Sequence, residues 1–160
     1  MFRSPSGHDD PFVIVKTSGK LFSHTFSGGK MLFLFHLIFM SAATLCLITG
    51  VWVAMGFRKN RNWLKIHKTL NLTGALIGLA GFAAVAANII TTGGEHFSGL
   101  HQQAGLTALI LVCLTVFLGF YSFRAKSKTT VRAFHRWSGR LTLVFVITAA
   151  VLGLRMIGIF

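Results

Sequence analysis

Hydrophobic residues run along this chain in four long blocks, with the polar residues gathered between them. The first block, "MLFLFHLIFMSAATLCLITGVWVAMG", covers 31–56. The second, "LNLTGALIGLAGFAAVAANII", covers 70–90 and has an amphipathic lead-in from Trp63. The third, "AGLTALILVCLTVFLGFYSF", covers 104–123, and the fourth, "LTLVFVITAAVLGLRMIGIF", covers 141–160. Each approaches the roughly 20 residues that a helix needs to cross a bilayer. The pattern predicts an all-α fold, an integral membrane four-helix bundle with short loops. Its helices are expected at about 31–56, 63–90, 101–123 and 134–158 within a core of 31–160. Residues 1–30 read as an N-terminal tail of Ser, Gly, charge and short apolar pieces such as "FVIVK", too short to span. No standard signal-peptide pattern is expected there, so the first span serves as its own insertion signal.

Composition agrees with a membrane chain. Hydrophobic residues make up 53% and charged residues 12%, against about 25% charged in a soluble domain. The acidic residues are three, Asp9, Asp10 and Glu95, and the net charge is +13. The basic residues lie between the apolar blocks rather than along one face, so no nucleic-acid partner is expected. Cys46 and Cys113 fall inside apolar blocks and read as small core residues, not as a disulfide or metal framework.

The loop charges give an orientation. With side A defined as the side of the N-terminus, the loops on side B hold Arg58, Lys59, Arg61, Lys65 and Lys68, then Arg124, Lys126, Lys128, Arg132, Arg136 and Arg140. The connecting loop on side A, "TTGGEHFSGLHQQ", holds no Lys or Arg. The positive-inside rule places loops 57–68 and 124–136 in the cytoplasm, or in an organelle matrix, and both termini on the opposite side.

Of the seven histidines, His36, His67, His101 and His135 each stand near the start of a helix. Because successive helices alternate in direction, His36 and His101 share a depth near side A. His67 and His135 share a depth near side B. An interfacial imidazole often only hydrogen-bonds a neighbouring helix. Four helices each giving one histidine, paired by depth, point further, because polar groups in a bilayer are costly and tend to be functional. Zinc or copper transport calls for more ligands or carboxylates nearby, and the spans contain no Asp or Glu. Haem iron needs two axial ligands from facing helices, which each pair offers.

Small residues follow each histidine at helical spacing: Gly105, Ala108, Thr115 and Gly119 after His101, and Gly139, Thr142, Ala149 and Gly153 after His135. Asn71, Gly74, Gly78 and Gly81 follow His67, and Met40, Ala43, Leu47 and Gly50 follow His36. Such stripes leave room for a flat macrocycle, or serve close helix packing. The cations Lys65, Lys68, Arg136 and Arg140 suit haem propionates and also suit the positive-inside signal. Trp63 and Trp137 fit an interfacial aromatic belt.

The segments "FHLIFMSAATL", "WLKIHKTLNLTGALIGLAG", "EHFSGLHQQAGLTALIL" and "FHRWSGRLTLV" resemble the transmembrane core of the eukaryotic cytochrome b561 family, including the form fused to DOMON domains. The resemblance covers roughly residues 31–154. It implies two haem b groups and electron transfer across the membrane, with His36 paired to His101 and His67 to His135 as axial iron ligands. It also implies a small donor on the cytoplasmic side, often ascorbate, and an outer acceptor such as monodehydroascorbate or a ferric chelate. His96, in the matching "HF" position, resembles a residue near the acceptor site, and also reads as an ordinary loop histidine. The first helix ends "VWVAMGFRKN", where ascorbate-reducing members have an "ALLVYR"-like end. A homodimer or a place in a larger membrane complex is expected as well. Two other classes stay open: a haem-bearing anchor subunit of a larger oxidoreductase without its own small-molecule substrate, and a structural membrane subunit without haem.

Overall fold

A computed structural model describes the backbone of residues 19–94 and 98–159, and the side chains from residue 28 onward within those ranges. Residues 1–18 of the tail and His96 lie outside the described residues. Four helices account for almost all of the rest: α1 (Gly19–Gly56), α2 (Trp63–Thr92), α3 (Leu100–Tyr121) and α4 (Lys128–Met156). All four are long and apolar enough to cross a membrane. The protein is an all-α, multi-pass integral membrane bundle whose backbone bonds are closed within each helix, as hydrocarbon requires.

Two helices begin well before the starts expected from the sequence, α1 at Gly19 rather than 31 and α4 at Lys128 rather than 134. α1 is already helical at Gly19, the first described residue, and the Gly28–Gly29 pair alone does not break it. α4 takes in the polar lead from Lys128, where nothing in "KTTVRA" interrupts helical geometry. α2 ends at Gly93, whose φ of 68° is left-handed and whose N–H bonds Ile89 O. Glycine adopts that conformation without a Cβ clash, and so stops the helix at side A.

The helices pack as two tight hairpins, α1/α2 and α3/α4. The hairpins meet more sparsely, along α1/α4 and α2/α3. Among the described residues the diagonal helices, α1 with α3 and α2 with α4, make no backbone approach. Small residues make the first hairpin close. A Cβ added at Gly74 would lie 3.1 Å from Cys46 Cβ and 3.2 Å from Ala43 O. At mid-height Leu47, Ala75, Ala108, Val112 and Val146 form an apolar core. Large side chains such as Leu45, Trp52 and Phe117 face outward, each more than 60% exposed, and present apolar surface to the lipid.

Candidate functional site

The gap between the diagonal helices holds the histidines. His36 of α1 faces His101 of α3 with ring centroids 6.3 Å apart and ring planes at 82°. His67 of α2 faces His135 of α4 at 6.2 Å and 83°. The first pair lies at the side A end of the bundle, and the second at the side B end. Each of the four rings is half-buried.

A backbone carbonyl of the partner helix in the same hairpin fixes each ring. His36 Nδ1 donates to Gly81 O at 2.9 Å and His67 Nδ1 to Gly50 O at 2.8 Å. His101 Nδ1 donates to Ala149 O at 2.8 Å and His135 Nδ1 to Thr115 O at 2.9 Å. A neutral imidazole that spends its N–H on a carbonyl presents its other nitrogen, Nε2, as a lone-pair donor. All four side chains are therefore held in the tautomer that leaves Nε2 free to act as a ligand.

The acceptors obey one rule. In every helix the acceptor carbonyl stands fourteen residues after that helix's own histidine: His36 to Gly50, His67 to Gly81, His101 to Thr115, and His135 to Ala149. Fourteen residues are almost four turns, so histidine and acceptor share a face about 21 Å apart at 1.5 Å per residue. In an antiparallel hairpin this spacing lets each helix serve the other's histidine. The bundle thus repeats one device in both hairpins.

Glycines bring the second hairpin's backbone up to the rings. A Cβ added at Gly119 would lie 3.1 Å from His135 Cε1, and one at Gly153 would lie 2.9 Å from His101 Cε1. At Gly50 a Cβ would run into the side chain of Asn71. Asn71 Nδ2 donates to His67 O at 2.8 Å and stands 3.0 Å from His67 Nδ1.

The space between the hairpins suits a flat, apolar group. A cavity of about 620 Å³ opens beside His36 and His101, within the range of cofactor pockets. Gly78, Gly105, Ala108 and Val112 are among its walls. Gln102 lines it too, and its Oε1 is buried without a hydrogen-bond partner. An imidazole centroid lies about 1.1 Å from its nitrogens and a metal–imidazole bond is about 2.0–2.1 Å. Two imidazoles on opposite sides of one ion therefore put their centroids about 6.3 Å apart. Both observed spacings fit that figure. Among the described residues no cluster of three or more His, Cys, Asp or Glu side chains forms, and each level brings together two imidazoles.

The four cations singled out in the sequence are exposed at the side B end. Lys68 Nζ lies over the rings of Phe120 and Phe123, at 5.4 and 5.3 Å, tying α2 to the end of α3. Arg140 stacks on Trp137 at 4.9 Å. Lys65 and Arg136 stand on the same rim. No acidic side chain is among the described residues to oppose them.

A transmembrane bundle with facing imidazoles at two depths has the construction of a membrane cytochrome. Comparison with protein families agrees. A family model described as eukaryotic cytochrome b561 matches residues 31–160. The chain belongs to the eukaryotic cytochrome b561 family. It is a haem b protein of the membrane, and its role is haem-dependent electron transfer. No curated protein and no solved structure matched the chain.

Proposed function

We propose that His36 and His101 are the axial ligands of one haem b and that His67 and His135 are those of a second. The observation that carries this reading is the matched geometry of the pairs, with centroids at 6.3 and 6.2 Å and every Nδ1 tied to a carbonyl. When bound, a haem held by two histidines would supply one-electron redox chemistry rather than oxygen binding. The chain's own residues do the rest. The four carbonyls hold the rings in one orientation and one tautomer. The mid-height core of Leu47, Ala75, Ala108, Val112 and Val146 keeps water and charge out of the interval between the levels. Lys65, Lys68, Arg136 and Arg140 pair with propionates at the side B level, where no described carboxylate competes.

The direction runs from side B, cytoplasmic or matrix, to side A. A small donor, with ascorbate one candidate, meets the cationic face, whose charge concentrates anions. An acceptor of the ferric-chelate or monodehydroascorbate kind meets the side A level, with His96 a candidate contact. The test is a reduced-minus-oxidised absorption spectrum of the purified protein, with haem quantified per chain, repeated for His36→Ala and His135→Ala. Two haems per chain, with one lost in each variant, is the expected result. A folded wild-type chain without haem sinks the reading.

A further inference from the structure

The two levels differ in what stands behind the carbonyls. At side A the acceptors are Gly81 and Ala149, which carry no polar side chain. At side B the acceptor of His135 is Thr115, whose hydroxyl enters a closed circuit. Thr115 Oγ1 donates to Ser138 Oγ at 2.9 Å, and Ser138 Oγ donates to His135 O at 3.1 Å. His135 Nδ1 completes the circuit by donating to Thr115 O. Thr142 braces it, donating to Ser138 O at 2.7 Å with its oxygen 3.0 Å from Thr115 Oγ1. Ser138 and Thr142 are buried in the α3/α4 seam. Helix packing alone does not call for three hydroxyls gathered at one histidine. In an apolar seam each would be costly if left unbonded, and here each has a partner.

We infer that Thr115, Ser138 and Thr142 are positioning residues that set the strength of the His135 Nδ1–H bond and thereby the reduction potential of the side B level. This rests on the axial-ligand reading above. The circuit locks Thr115 O against His135 from both the backbone and the side-chain direction. A firm bond from Nδ1–H leaves more electron density on Nε2, which favours the oxidised iron and lowers the potential. Loosening the circuit weakens that donation and raises the potential at side B, while the side A level has no part in it.

The experiment is a redox titration and low-temperature EPR spectrum of haem-loaded protein carrying Thr115→Val, with Thr115→Ser as the conservative rescue and Ser138→Ala as a second route. The His36→Ala protein, which retains the side B pair, assigns the midpoint that belongs to that level. The expected result is two haems per chain, one midpoint raised by a change on the order of tenfold in its reduction equilibrium, which is 59 mV for one electron, and the other midpoint unmoved. The EPR signal of the same level shifts with it, and Thr115→Ser restores both. Should Thr115→Val fail to accumulate, Ser138→Ala carries the same expectation. Both haems present with neither midpoint moved, or both moved alike, overturns the inference and leaves the ligand reading standing. A wild-type protein lacking two haems overturns the ligand reading, and the inference with it.

Discussion

Gly153→Ala puts the site geometry to a sharp test, because two effects of the same methyl group oppose each other. In an exposed helix interior the change from glycine to alanine stabilises by about 1 kcal/mol. At Gly153 the new Cβ falls 2.9 Å from His101 Cε1 and 3.2 Å from Nδ1, where ordinary contact begins at 3.4 Å. The ring must therefore withdraw from α4 by at least about 0.5 Å, beyond what a preorganised ligand tolerates. Its hydrogen-bond acceptor, Ala149 O, lies on α4 as well, one turn earlier, so the same movement stretches the 2.8 Å bond. At about 3.3 Å the bond passes the usual N–H···O range, and losing a buried one costs about 1–3 kcal/mol. The ring contact outweighs the propensity gain, and the damage is confined to the side A pair. Haem per chain, pyridine-haemochrome absorbance and thermal unfolding in detergent read it together. The expected outcome is a weakened or absent side A haem, an intact side B haem and no gain in melting temperature. Gly28→Ala, where a Cβ meets nothing within 4 Å, is the control and leaves both haems in place. A Gly153→Ala protein with two normal haems and a raised melting temperature refutes the claim that the ring is held against this glycine.

Gly105 tests the cavity rather than the ring. Its added Cβ meets nothing within 4 Å, so Gly105→Leu is accommodated by the helices but fills the space beside His101, and it should remove the side A haem while sparing the side B haem in the same spectrum. Sidedness is read by cysteine labelling. In a chain with Cys46 and Cys113 replaced by Ser, a membrane-impermeant maleimide applied to the face opposite the cytoplasm or matrix (the outside of intact cells for a plasma-membrane location) should label Ser98→Cys and spare Ser127→Cys, and the reverse pattern overturns the assigned direction.

Much of this architecture is legible in the sequence because a bilayer imposes simple rules. Apolar blocks of the right length give the helices, and alternation of direction gives the depths of His36, His67, His101 and His135. The small-residue stripes already contained Gly50, Gly81, Thr115, Ala149, Gly119 and Gly153. Their roles were not legible, because a stripe shows which residues share a face and not which carbonyl turns toward which ring. The fourteen-residue offset was visible as a spacing, yet it acquires meaning only when an antiparallel hairpin places the end of one helix beside the start of the other. Asn71 stands in the stripe after His67 and Ser138 in none, and neither position shows which group its side chain bonds. The extra turns of α1 before 31 were missed because apolar content marks the lipid span, and a helix continues beyond it until something breaks it.

The division into hairpins carries a consequence for stability. Within a hairpin, glycine and alanine bring the backbones into contact, and each helix supplies the carbonyl that orients the other's histidine. Between hairpins the contacts are sparse, and among the described residues no large side chain is fully buried. Every histidine pair, by contrast, spans the two hairpins: His36 with His101 and His67 with His135. Each hairpin thus orients its own two histidines, yet brings no two of them face to face. Lipid tails are as apolar as the side chains of the seam, so no hydrophobic force drives the hairpins together. Iron–imidazole bonds at two levels would supply what the seam lacks. By linkage, a ligand present at 1,000 times its dissociation constant adds about 4.1 kcal/mol to the state that binds it. A protease site placed in the connection 93–99 tests this directly. After cleavage, the α1/α2 and α3/α4 halves of haem-loaded protein should co-elute in detergent, and those of protein made under haem deprivation should separate. Haem-free halves that stay together as firmly as loaded ones would show that the seam itself, and not the cofactor, joins the hairpins.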